Sequence, residues 1–318
     1  MKARILTTLT LVAVSTGTLP AVDQNLLNLV MPDAKVVAGV NVLSAKTSPF
    51  GQYVLSQFAG NANFAMVTTK VGFDPSKDLI EVLTATTAVK DAPTGLAMAT
   101  GTFNVSAITT AAVSQTDGNV VTETYKGVNL LEDNKNVGAV AFLNASLVVA
   151  GDIASVKAAI DRQSTPSTLP ASLLAQIKNL SATEDAWFVS TVPVSSLMGP
   201  NTGLVAPGLG ANAKMQINVA QQIQSANGGV KFGSIVTFTG QVQADTAQNA
   251  TTLAGMLQLV ANMAQMQAAQ NPQAAALAKA LTVSNSGNSV NVSLALPQDQ
   301  FQNLLHPKAA VKHAARKQ

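Results

Sequence analysis

An α+β fold made of two related modules, each a mostly antiparallel sheet with helices packed on one face, is predicted by three observations. Of the 318 residues, 47% are hydrophobic and 11% charged, which supplies a sizeable core and too little charge to keep a disordered chain solvated. Strand-like and helix-like stretches alternate, yet residues 120–150 read as a meander of short strands, which pairs antiparallel rather than through crossovers. The order of elements in the first half then recurs in the second, the mark of long-period duplication.

The elements follow in order. Lys2 and Arg4 precede the short apolar run from Ile5 to Val14, and small residues follow between Ser15 and Ala21. This is the pattern of a secretory signal peptide over residues 1–21, against a first buried strand or helix as the competing reading. The β-branched run from Asp33 to Leu43 predicts a strand, and Ser48-Pro49 opens a helix carrying Phe50, Tyr53, Val54 and Phe58. Asp74-Pro75 repeats that start signal, with Leu79, Ile80, Val82 and Leu83 as an apolar helical stripe and Lys77/Glu81 as an i,i+4 pair. A strand from Gly95 to Phe103, a helix from Val105 to Gln115, the meander and an Asp152-capped helix complete a first module over residues 22–163.

Residues 164–182 form a Pro- and Ser-bearing linker and a connecting helix, and the second module spans 183–305. In it, Asp185 to Val194 answers the first strand and Met215 to Ala226 the Pro49 helix. Gly233 to Val242 answers the Gly95 strand, and the long helix after Asp245 answers Val105 to Gln115. A hairpin from Leu281 to Leu296, turning at Gly287-Asn288, and a last helix from Pro297 to Leu305 close the module.

The segments Gly72-Phe73-Asp74-Pro75-Ser76-Lys77-Asp78-Leu79, Tyr125-Lys126-Gly127-Val128, and Ala141-Phe142-Leu143 through Gly151-Asp152 to Ile160-Asp161 carry a resemblance. Over residues 32–163 the chain resembles a group of uncharacterised secreted bacterial proteins that share a Gly-x-Asp-Pro-x-x-Asp-Leu motif, a Tyr-x-Gly-Val hairpin and a strand-Gly-helix ending. The resemblance implies a fold and brings no activity with it.

Few side chains offer chemistry. There is no cysteine, and both histidines, His306 and His313, lie in the polar C-terminal tail. A Ser-His-Asp triad or a zinc site therefore lacks its parts, and no catalytic, cofactor-binding or metal-binding residue is assigned. Glu132-Asp133 and Glu184-Asp185 are adjacent acid pairs, read as solvated turn acids rather than a catalytic couple. Gly208-x-Gly210-x-x-Ala213 in the 199–214 loop follows two prolines instead of a strand, against a dinucleotide fingerprint. The Leu253, Met256, Leu257, Val260, Met263 and Met266 stripe reads as core or partner groove before copper site.

The net charge of +3 is a property of the termini. Without Lys2, Arg4, Lys308, Lys312, Arg316 and Lys317, thirteen basic residues face sixteen acidic ones, so the body is net negative and carries no nucleic-acid stripe. The basic tail, residues 306–318, is read as disordered, and Lys308, Lys312, Arg316 and Lys317 are its candidate contacts with an anionic envelope surface. No second run of apolar residues is long enough to span a bilayer. The sequence thus predicts an extracytoplasmic protein, periplasmic or secreted, without cofactor, acting as a non-catalytic binding or envelope-associated scaffold. The alternative is a carboxylate-dependent hydrolase acting on an extracytoplasmic polymer, which the 4% aromatic content disfavours because sugar-stacking platforms are scarce.

Overall fold

A computed structural model describes residues 21–59, 73–87, 94–114, 119–133, 135, 138–193, 222–266 and 272–305. The chain is α+β, with ten helices and twelve strands among the described residues. All twelve strands join one antiparallel sheet, so the two halves share a sheet instead of owning one each.

The first half contributes β1 (Val36–Asn41), β2 (Leu79–Thr86), β3 (Gly95–Gly101), β4 (Val120–Tyr125), β5 (Val128–Asp133), β6 (Gly138–Asn144) and β7 (Leu147–Asp152). The second contributes β8 (Ala186–Ser190), β9 (Ile223–Lys231), β10 (Ile235–Ala244), β11 (Leu281–Ser286) and β12 (Ser289–Pro297). The halves meet where β1 pairs with β8, Val37 opposite Val189 and Gly39 opposite Trp187. Outward from that seam the order is β1-β2-β3-β7-β6-β5-β4 on one side and β8-β9-β10-β12-β11 on the other.

Ten helices decorate this sheet. In the first half they are α1 (Gln24–Leu29), α2 (Val42–Thr47), α3 (Pro49–Ala59), α4 (Pro75–Asp78), α5 (Val105–Ser114) and α6 (Ile153–Arg162). Then come α7 (Ala171–Thr183), α8 (Ala247–Met266), α9 (Pro272–Ala280) and α10 (Gln298–Leu305). The main core lies under α1, α6 and α7, where Leu26, Leu27, Val156, Leu173 and Ile177 meet Val37, Leu83, Met98, Val149 and Trp187 from the sheet. The turn before α7 and that helix itself belong to this core through Leu169, Leu173 and Ile177, so the expected linker is structural.

Sequence signals explain several element ends. Asp152 Oδ1 accepts from Ser155 N (2.8 Å) and opens α6, while Ser48 Oγ accepts from Gly51 N (2.9 Å) at the start of α3. The first strand is shorter than expected because Asn41 Oδ1 accepts from Ser44 N (2.9 Å), turning Val42 and Leu43 into α2. The helix α1 carries no strong sequence signal. It is held by Asp23 at its N-cap and by the Arg162 guanidinium, which donates to the Leu29 carbonyl at 2.6 and 2.9 Å.

Two predicted helices are corrected. Asp74-Pro75 does open a helix, but only one turn of it, and Leu79, Ile80, Val82 and Leu83 belong to β2. The run Leu-Ile-Glu-Val-Leu-Thr-Ala-Thr fits both periods, and pairing on two edges, with β1 and β3, overrides the local preference. Lys77 accordingly pairs with Asp74 (2.9 Å) and not with Glu81, whose carboxylate accepts from Asp23 N (3.0 Å). In the second half, Ile223 to Ala226 lie in β9 rather than in a helix, paired with β8 and β10. The remainder of that predicted helix, the signal segment before residue 21, the 199–214 loop and the tail lie outside the described residues.

Candidate functional site

The concave feature of this sheet follows from its pleat. Side chains alternate between the two faces, so directly paired residues share a face. Ladder pairing places Leu83, Gly39, Trp187, Gly229 and Thr239 in one row across five strands, on the face covered by α1, α6 and α7. The next row, Val82, Val40, Ala186, Val230 and Phe238, lies on the opposite face.

Apolar character changes sides across the seam. On β1 and β8 both faces are apolar, with Val37, Trp187 and Val189 on one and Ala38, Val40, Ala186 and Phe188 on the other. From β9 outward the first face turns polar. Asn227 donates to Gln176 and Gln241, and Gln241 donates to Asn291, an amide ladder crossing three strands. The second face stays apolar through Val242, Val290 and Val292, and there α8 covers it with Ala250, Ala254 and Leu257.

The stretch that the described helices leave uncovered on this second face is a groove of about 360 Å³. Its lining comprises Ala38, Val40, Val82, Ala186, Phe188, Val230 and Phe238, with Thr84 and the backbone of the intervening row. Val40 is 37% exposed and Phe188 41%, unusual for large apolar side chains at the centre of a sheet. The groove ends at a cluster of rings in which Phe301 from α10 meets Phe238 and Phe50 (centroids 4.9 Å each), and Phe50 meets Phe232 (5.6 Å). No charged side chain lines it.

Glu132, Glu184 and Asp185 are buried, which corrects their reading as solvated turn acids, whereas Asp133 is half-buried and caps a local turn. Glu132 is 9% exposed, Glu184 8% and Asp185 2%. Each holds the fold together. Asp185 accepts from Phe232 N (2.6 Å) with Lys231 nearby (3.7 Å), Glu132 receives Lys157 (3.3 Å), and Asp133 accepts from Lys135 N (2.9 Å). Glu184 accepts from the Thr239 hydroxyl (2.9 Å), and its other oxygen has no hydrogen-bond partner. Burial pushes the Glu184 carboxyl up from its ordinary range. Burial also raises Glu81 to about 7, opposed by the Asp23 N–H. Both carboxyls sit on the face opposite the groove, so neither can act on a molecule bound there. Among the described residues no group of three His, Cys, Asp or Glu could hold a metal ion.

The methionine stripe divides between two roles. Leu253 and Leu257 pack against the small core under α8, whereas Val260, Met263 and Met266 are exposed, Met266 at 86%. The sequence missed the groove because Val40, Ala186, Phe188 and Val230 read as ordinary strand formers. The available signal was that β1 and β8 are apolar on successive positions, which implies two faces withdrawn from water.

No protein-family model and no curated protein matches the chain. Among solved structures it is similar to three crystal forms of TP0453. Form III aligns with a TM-score of 0.56 at 10% identity, covering 91% of this chain and 99% of that one. Form IV gives 0.53 at 11% and form I gives 0.50 at 10%, each covering 88% of this chain and 95% of the other. Identity at this level carries the fold alone.

Proposed function

We propose that this chain is an exported, non-catalytic binding protein associated with the cell envelope, and that the groove on the sheet face opposite α1, α6 and α7 is its binding site for the apolar part of a small molecule. The observation that supports this is the composition of the groove. A concavity of a few hundred cubic ångströms lined by aliphatic and aromatic side chains is the usual form of a small-molecule site. Here it lacks the acid, base or charged anchor that a reacting or polar substrate needs.

Envelope association is a separate part of the proposal. It rests on the signal-like segment before Ala21 and on Lys308, Lys312, Arg316 and Lys317, which give the tail four cations and no acid. Each basic residue near an anionic surface contributes roughly 1 kcal/mol, screened by salt. No helix among the described residues is long and apolar enough to cross a membrane.

Binding is tested with Nile red. Fluorescence enhancement by the wild-type chain, lost on Phe188→Ser with Val40→Ser, is the expected result, and enhancement indifferent to both changes would refute the site. Association is tested by co-sedimentation with anionic vesicles at low and high salt, comparing the full chain with one ending at Leu305. Equal binding by both would remove the tail from the proposal. Amino-terminal sequencing of native protein tests export, with a mature start between Gly17 and Asp23 expected.

A further inference from the structure

We infer that the groove seats a single alkyl chain, that of a medium-length fatty acid, which rests on the groove being the binding site. Its two side-chain hydroxyls are already engaged. Thr84 Oγ1 donates to the Ala38 carbonyl (3.5 Å), and Thr239 Oγ1 donates to Glu184 (2.9 Å) on the far face. Apart from the Thr84 hydroxyl no side chain inside orients a polar group, so a ligand is held chiefly by apolar area. A cavity that holds benzene measures roughly 150 Å³; at 360 Å³ the groove admits a chain of about a dozen carbons. Because Val40 and Phe188 are exposed along its length, a carboxylate at the end of that chain stays in water.

A second observation comes from the glycines. Gly39 leaves room for the Trp187 ring, which would lie 2.5 Å from a Cβ, and Gly228 allows β10 to approach, with the Thr239 carbonyl oxygen 2.4 Å from its Cβ position. Gly240 has no such reason. It lies in the interior of β10, two residues past Phe238 on the same face, and among the described residues no atom stands within 4 Å of where its Cβ would be. Glycine weakens a strand, and one beside a groove with open space above it leaves room for another molecule to approach the backbone. Pairing aligns Ala38, Phe188, Gly228 and Gly240 beside the Val40–Ala186–Val230–Phe238 row, a low trough leading out of the groove.

Trp187 is the single tryptophan of the chain and its backbone forms part of the groove floor, so its emission reports occupancy. Titrating the full-length chain with ω-bromododecanoic acid should quench Trp187 saturably. Gly240→Val and Ala186→Leu should each weaken that binding by roughly tenfold or more, with a melting temperature unchanged or raised for Gly240→Val. Absence of saturable quenching, or wild-type affinity in both variants, would overturn the assignment. If the bromo acid fails while Nile red still responds to Phe188→Ser with Val40→Ser, the site stands and the alkyl chain is wrong. Sedimentation showing a dimer that these substitutions dissociate would assign the groove to a second copy and overturn the proposal as well.

Discussion

The two halves of the sheet run through the same strand order from the seam outward and bury opposite faces. In the first, β1, β2, β3, β7 and β6 carry Val37, Leu83, Met98, Val149 and Ala141 toward α1, α6 and α7. In the second, β8, β9, β10, β12 and β11 occupy matching places, yet Val242, Val290 and Val292 turn the other way, toward α8. The two strand orders match once the β4–β5 hairpin of the first half is set aside. The reversal teaches how a groove can arise without a closed cavity. Where cover passes from one face to the other, the strands at the seam are apolar on both sides, and among the described residues helices pack over only one of them there.

The largest loss of stability is expected in the first half. Leu83→Ala empties a fully buried position among packed side chains and should cost about 3 kcal/mol. Val290→Ala, in the smaller core under α8, removes less volume and should cost about 1–2 kcal/mol. Urea unfolding of both variants measures this, and it also shows whether the halves melt in one transition, as a continuous sheet requires.

The glycines on the two sides of the seam sharpen the contrast. Gly39→Ala drives a Cβ into the buried Trp187 ring and should destabilise by about 2 kcal/mol. Gly240→Ala meets open space and should be neutral or gain up to about 1 kcal/mol. Thermal melts of the pair measure the difference between these two positions.

Glu81 supplies a pH dependence in the first half, and the raised Glu184 carboxyl adds one of the same sign in the second. The Glu81 carboxyl is raised to about 7 by burial beneath the Asp23 end of α1. The folded state keeps the proton between the ordinary glutamate value and 7, while the unfolded state releases it. Stability is therefore full below the ordinary value and falls as pH rises through 7, by about 1–2 kcal/mol after allowing for partial exposure. Glu81→Gln should flatten that decline in denaturation curves between pH 4 and 8. The smallest effect is expected for Gln241→Ala on the exposed amide ladder, within about 0.5 kcal/mol of wild type.

Much of the fold was legible because its signals are local. Ser48-Pro49 and Asp152 satisfy helix-end N–H groups with nearby atoms, and the turn at Gly287, with φ of +54°, needs the conformational freedom of glycine. Misread elements were those whose local pattern was ambiguous. Leu79 to Leu83 fits a helix or a strand, and only pairing on two edges decides between them.

By itself the sequence determined the α+β class, the absence of cysteine, the placement of both histidines in the tail, and the charge contrast between body and ends, since each depends only on which residues are present and where they fall along the chain. Tertiary structure alone decided that one sheet runs through both halves, that Glu184 and Asp185 are buried, and that Val40 and Phe188 are not. Exposure of an apolar side chain depends on what lies above it, and here that is set by α7 and α8 covering opposite faces of strands far apart in the chain.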